Sequence, residues 1–435
     1  MKGASFFQRI GGLLYFPASP GTTPGGETRL ALWGLVIGLL SGSIISVFRI
    51  TTSNAFHTVG QWFRANAADP LQCCLWLIPA VIAALITGWL IRNPAIRSGG
   101  ASWISQSIAA PQKGVWWRIL APKFIGTWLV MACGLSVGRE GPCIQMGAST
   151  ALGLARMDGG GDAATHAAKR RMLVLCGCAA GLAAAFSAPF AGIFYVLEVM
   201  KERISRNLLI LMLGAALGVY LSCTGIFGLG LMLPLQGGSN LAELPFIWNG
   251  ALVGLGAGFV GILYAGLLRR SLALYGRARH FPVFLRPLLP FLAAALMLYI
   301  YPQTTGEGLS IFHLLESGGL VSALLVFLCV KLLFTAFCYG SGIPAGVMVP
   351  VLALGGVAGG LCAWALAAAG IAGGGGMAAF MAMGMASAFT AAEHAPLTGI
   401  VLVLEMTGTY AATPGLLLAA GAAMLLARLV RSRPV

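Results

Sequence analysis

The segment Gly138-Arg139-Glu140-Gly141-Pro142-Cys143-Ile144-Gln145 has the makings of an anion site. Its glycines permit a tight approach to a helix start, Pro142 suits a first helical turn, and the unpaired main-chain N–H groups of that turn favour an anion. Glu140 is at odds with such surroundings. A carboxylate at a helix N-terminus can take the place an anion would take, so Glu140 reads as a tethered anion that competes with the ligand and leaves when protonated. The blander reading is a stabilising acid at a helix start; the deep apolar flanks of Glu140 weigh against it, because an acid inside a membrane is costly and marks function. A matching segment follows in Gly340-Ser341-Gly342-Ile343-Pro344-Ala345-Gly346-Val347-Met348-Val349-Pro350. There the main chain is unshielded, and Val347 and Met348 offer amides rather than polar side chains. Amide donors hold an anion without trapping it as a lysine would. A glycine-rich helix start that merely packs closely is the alternative.

The elements that must position these residues are membrane helices. Hydrophobic residues make up 58% of the 435 and charged residues 9%, against about 45–50% and about 25% for soluble domains. The 61 glycines and 21 prolines point to tightly packed, interrupted helices. A β-barrel is excluded, because runs such as Leu208–Tyr220 and Thr398–Leu404 are near-continuously apolar where barrel strands would alternate. Several apolar segments are shorter than a simple span of about 20 residues, and irregular backbone at membrane depth survives only where protein buries it or where it lines a watery path. The breaks themselves therefore suggest a permeation route.

The net charge of +15 does not indicate nucleic acid. Basic residues crowd into Arg269, Arg270, Arg277, Arg279 and Arg286 and into Arg428, Arg431 and Arg433, which the positive-inside rule assigns to the cytoplasm. Segments 224–250 and 301–319 carry Glu243, Glu307 and Glu316 but no Lys or Arg and should face outward. The first long apolar run, Leu30–Val47, follows a polar start and is too long for a signal core. A solvent-exposed connection is expected around Gly159-Gly160-Gly161. The ten cysteines lack paired CxxC spacing and read as small apolar side chains rather than metal ligands or disulfides; no metal or cofactor is expected.

The chain repeats itself. Ala188-Pro189-Phe190-Ala191-Gly192-Ile193 through Glu198 lies beside Ala395-Pro396-Leu397-Thr398-Gly399-Ile400 through Glu405 at an offset of 207, and Gly138, Pro142 and Gly147 fall on Gly346, Pro350 and Gly355 at an offset of 208. Transporters with such repeats commonly hold substrate at the repeat interface, on broken helices whose N-termini point at an anion. The divisions this suggests are a cytoplasmic segment 1–28, a first membrane half 29–235, a second half 236–431 and a cytoplasmic tail 432–435. The orientation of the second copy is not readable from the repeat alone.

Together, 138–142, 340–350 and the two Ala-Pro-x-x-Gly-Ile…Glu segments resemble the CLC family of chloride channels and chloride/proton antiporters, over nearly the whole chain. The resemblance implies an all-α integral membrane protein of two inverted-repeat halves with broken and re-entrant helices. It implies a homodimer in the inner membrane with both termini cytoplasmic and one path per subunit for chloride or similar monovalent anions. Glu140 then matches the family's external gating glutamate, Val347 and Met348 match the amides around a central anion, Arg139 and Gly141 flank the gate, and Lys123 in Ala121-Pro122-Lys123-Phe124 matches a basic residue upstream of it.

Three departures stand beside the matches. Where the family has Gly-Ser-Gly-Ile-Pro in the first half, this chain reads Arg97-Ser98-Gly99-Gly100-Ala101, so either Ser98 supplies the hydroxyl or Gly99 occupies its place. Antiporters of the family carry an internal glutamate just after the position matched by Glu198; here it is Val199, which cannot carry a proton. Glu198 and Glu405 read as acids that hold helix termini, with proton transfer the alternative. The family's late tyrosine has no counterpart, which leaves the inner end of the path more open, and the short tail has no room for nucleotide-sensing domains. These departures favour uncoupled, channel-like conduction, with exchange through another internal proton route as the alternative.

An enzyme is the rival from another class. Gly100-Ala101-Ser102-Trp103 has a small-residue approach to a serine, and His394 could serve as its base in an intramembrane hydrolase, but such short patterns arise often by chance. There is no HExxH motif and no Walker loop in the sequence.

Overall fold

The computed structural model describes residues 26–109, 116–155, 163–203, 205–235, 244–278, 282–316, 318, 320–371 and 376–434. Residues 1–25, the Gly159–Gly161 connection, Glu243 and Arg279 lie outside them. The first part of the chain runs through α1 (Gly26–Ala65), α2 (Pro70–Leu75), α3 (Leu77–Leu90), α4 (Ala101–Ala109), α5 (Trp117–Ala132), α6 (Glu140–Ala155), α7 (Ala163–Phe186), α8 (Pro189–Glu198) and α9 (Arg206–Tyr220). The second runs through α10 (Leu244–Arg277), α11 (Leu288–Ile300), α12 (Ile311–Glu316), α13 (Val321–Gly340), α14 (Met348–Ala368), α15 (Met377–Glu393), α16 (Pro396–Thr407) and α17 (Thr413–Leu429). Eight stretches among the described residues are long and apolar enough to cross a membrane, whereas α8, α15 and α16 are apolar but shorter. The protein is an all-α integral membrane protein, in agreement with its composition.

Why the short helices break where they do is written in the repeat. Helices α7 and α15 each end on a left-handed residue, Ser187 at φ 56° and His394 at φ 57°, and Pro189 and Pro396 then open α8 and α16 at the first helical position. Proline is pre-organised there and its missing N–H would have been unpaired anyway. The same chain reversal is thus made twice from the same residue types.

Contacts between the two copies are reciprocal. Glu198, at the end of α8, accepts the N–H groups of Leu397 (3.0 Å) and Thr398 (2.6 Å) at the start of α16. Glu405, in α16, accepts those of Phe190 (3.1 Å) and Ala191 (2.8 Å) at the start of α8. Such exchange of identical contacts is the signature of a two-fold relation. Another pair sits on the same pseudo-axis: Gly138 and Gly346 exchange both main-chain hydrogen bonds, at 2.9 and 2.7 Å, as an isolated antiparallel bridge. Both acids therefore hold helix starts, the structural reading of the two offered by the sequence.

Glycine lets the helix pairs of each half approach at backbone distance. A Cβ added to Gly147 in α6 would lie 2.9 Å from Gly181 Cα in α7, and one on Gly384 in α15 would lie 2.7 Å from Gly359 Cα in α14. Small residues drive helix association in a membrane, where burial from water contributes little. This close packing leaves α6 and α14 rigidly placed, with their N-termini at the pseudo-axis.

Candidate functional site

Glu140 is the first residue of α6 and is fully buried. Its side chain does not cap its own helix alone. The Oε1 atom accepts the N–H of Met348 and, at 3.1 Å, that of Val349, the first two residues of α14. Two helix N-termini thus converge on one carboxylate, each contributing unpaired amides and the positive end of its dipole. Glycine makes the approach possible: a Cβ on Gly346 would stand 2.7 Å from the Glu140 carboxyl carbon, and one on Gly138 would collide with its oxygens. The second carboxylate oxygen, Oε2, has no hydrogen-bond partner among the described residues.

A cavity of about 200 Å³ opens beside this carboxylate. Of the residues the sequence singled out, Glu140, Gly99, Gly141, Val347, Met348 and Val199 line it. Ser98, Arg139 and Glu198 do not. The amide donors also differ by one position from expectation, being Met348 and Val349; Val347 instead uses its carbonyl, which accepts the Tyr264 hydroxyl at 2.7 Å. The reason is local: Val347 lies just outside the helix, at φ −132° and ψ −1°, and free amides begin at the first helical residue.

Arg139 faces away from the cavity. Its Nε pairs with Glu307 at 3.2 Å, and both line a separate cleft with Thr52, Phe56 and Ser310. The guanidinium expected beside Glu140 as an anion contact is instead held by an acid, in a different cleft. Glu198 is likewise absent from the cavity because its oxygens are taken up by Leu397, Thr398 and the Thr398 hydroxyl.

Ser98 and Gly99 divide the work that the sequence left open between them. Ser98 adopts a left-handed backbone at φ 49°, and its carbonyl accepts the buried Lys123 ammonium at 2.5 Å, with Ile96 O at 3.0 Å. A buried ammonium needs such partners. Lys331 does the same in the second half, donating to Thr304 O at 3.0 Å and Gly306 O at 2.6 Å. Lys123 thus fixes the loop rather than facing an anion, and the loop presents Gly99 to the cavity.

Three residues of the cavity wall with polar side chains were not singled out by the sequence: Tyr339, Tyr195 and Glu393. The Tyr339 phenol, one residue before the end of α13, stands beside the Ser98 side chain and the Gly99 amide, within reach of hydrogen bonding. A phenol from another helix thus lines the cavity although the late tyrosine is missing. Position 102, in the enzyme reading, lies on α4, and the His394 imidazole is engaged with Ser432 Oγ at 2.9 Å. No serine–histidine pair forms between them.

Comparison with known proteins gives a consistent picture. The family model described as voltage gated chloride channel matches residues 80–428. The H+/Cl− exchange transporter ClcA of Vibrio parahaemolyticus is 29% identical over 429 residues, covering 96% of this chain and 90% of the relative. ClcA of Salmonella paratyphi B is 31% identical over 421 residues, covering 94% and 88%. The crystal structure of a slow cyanobacterial Cl−/H+ antiporter superposes with a TM-score of 0.84 at 23% identity, over 93% of this chain and 96% of the other. A match of this extent to a transporter family also removes the hydrolase from consideration. With the glutamate-closed pair of helix N-termini at the centre of two repeats, and with these relatives along its length, the chain belongs to the voltage-gated chloride channel family.

Proposed function

We propose that this protein exchanges chloride, or a similar monovalent anion, for protons across the membrane, with Glu140 as the gate. The observation that carries the reading is the Glu140 carboxylate resting on the Met348 and Val349 amides. An anion moving along the path needs those same donors, so a charged Glu140 and a bound anion exclude each other. Protonation neutralises the carboxyl, weakens its hold on the amides and leaves them to the anion. One group then links proton movement to anion movement.

The channel-like expectation drawn from Val199 yields to exchange on this reading. Relatives aligned over nearly the whole chain are named as exchange transporters, and the Val199 position argues only that the inner proton site has moved. Gly99, Gly141, Met348 and Val349 are the proposed anion contacts, with Ser98 and Tyr339 at the inner end. The two halves correspond to 29–235 and 236–431. The basic ends, including Arg269 and Arg428, are assigned to the cytoplasm by the positive-inside rule, with both termini on that side; the protein is expected in the inner membrane as a homodimer.

The test is a reconstituted vesicle held under a chloride gradient, with potassium and valinomycin setting the voltage. Exchange predicts that chloride movement drives protons against their own gradient. Chloride movement with no proton displacement would return the reading to a channel.

A further inference from the structure

Exchange needs a group that takes protons from the inner solution and passes them to Glu140, and the isopropyl group of Val199 offers neither a proton site nor a hydrogen bond. Val199 nonetheless lines the Glu140 cavity, and another wall residue of that cavity is Glu393. Glu393 is the last residue of α15, half-buried. No described residue donates a hydrogen bond to its carboxylate or pairs with it. An intramembrane acid without a structural partner is costly and calls for a role.

The repeat isolates it further. At the offset of 207, Glu393 falls on Phe186, which is fully buried apolar surface, while the next residues, Ser187 and His394, share the left-handed turn. The fold thus makes this helix end without an acid in the first half. In the second half the acid stands at the cavity wall, and its neighbour His394 is surrounded by Lys201, Arg269 and Arg428. That is the basic end of the molecule. The titratable groups whose charges reach Glu393 are Glu140 from α6, Tyr195 from α8, Tyr264 from α10 and Tyr339 from α13.

We infer that Glu393 is the inner proton acceptor of the exchange, handing protons to Glu140 across the cavity that both line, in place of the acid missing at Val199. A proton taken from inner water neutralises the Glu393 carboxylate. It then crosses by water or by the Tyr195 and Tyr339 hydroxyls, which both donate and accept, and neutralises Glu140. Glu140 leaves the α14 amides and gives the proton up on the far side, so the proton is conserved and no other reactant is required. The cavity has room for water, each molecule of which needs about 30 Å³, so a chain of waters can link the two carboxylates that line it.

This inference rests on the exchange reading, and the experiment separates the two. The full chain is reconstituted in liposomes, and external chloride and pH are recorded together under a chloride gradient. Glu393→Gln is expected to lower uphill proton movement by about tenfold or more while chloride continues to flow. Glu393→Asp keeps measurable coupling, and Val199→Glu added to Glu393→Gln restores proton movement by supplying an acid on the same cavity wall. If the unmodified protein moves protons and Glu393→Gln moves them equally well, the inference fails and exchange stands. If the unmodified protein moves none, exchange fails and takes the inference with it. Loss of both fluxes in Glu393→Gln and Glu393→Asp alike would assign the residue to the anion path or to folding and would also overturn it.

Discussion

Glu140 and Met348 are 208 residues apart in sequence and hydrogen-bonded in the structure, carboxylate to main-chain N–H. They are also repeat-equivalent positions, the first residue of α6 and the first residue of α14. The pseudo-two-fold axis therefore passes between a side chain of one half and the backbone of the other. What one half supplies as a charge, the other receives as amides.

Glu140→Gln makes anion flux nearly independent of pH and ends proton movement. An amide mimics the neutral acid: it is isosteric, carries no charge to compete with the anion, and cannot take up or release a proton. In the unmodified protein the sign is fixed by the same reasoning, with flux rising as pH falls because protonation frees the α14 amides. Chloride efflux from vesicles at acid and neutral pH checks both statements, and a pH dependence that survives the substitution removes Glu140 from the gate.

Glu198→Gln and Glu405→Gln each destabilise the protein without abolishing coupling. Each carboxylate accepts at least two N–H bonds from the opposite half's helix start, and hydrogen bonds to charged groups contribute about 1.5–3 kcal/mol. The amide retains one acceptor oxygen and loses the charge–dipole attraction, so a loss of about 1–2 kcal/mol is expected for each. Thermal unfolding in detergent measures it, and reciprocity of the contacts predicts similar shifts for the two. Loss of proton transport in a normally stable Glu198→Gln protein would instead make Glu198 a relay.

Tyr339→Phe and Ser98→Ala lower the preference for chloride over nitrate. Removing a hydroxyl that donates at the end of the path penalises the more strongly hydrated anion more, and a lost bond to a charged ligand of about 1.4 kcal/mol corresponds to about tenfold. Reversal potentials in mixed anions give the ratio. Ser98→Pro is unsuitable for this purpose, because φ at 49° lies far from the value near −65° that proline requires; it should fold poorly.

The Gly138–Pro142 segment showed the acid at the meeting of the two helix starts in plain view, because a lone acid among glycines at an apolar helix start has few structural explanations. The repeat was equally legible, down to the paired prolines that open α8 and α16. What spacing could not show is the partnering across the pseudo-axis. Whether Val347 or Val349 offers its amide depends on the single residue at which α14 begins, and Arg139 looked available until Glu307, from the second half, was placed beside it. Glu393 and Tyr339 were hidden for the same reason, since each is unremarkable among its own neighbours and meaningful only against Glu140 or Ser98. One signal was present: setting Glu393 against its repeat mate Phe186 shows an acid where the fold needs none.

The voltage at which net current vanishes tests the central claim most directly. With the chloride gradient fixed across a reconstituted bilayer, a proton gradient is varied and the reversal potential recorded. Coupled exchange through Glu140 predicts that the reversal potential moves with the pH difference; a reversal potential that stays at the chloride equilibrium value whatever the pH difference would contradict the account.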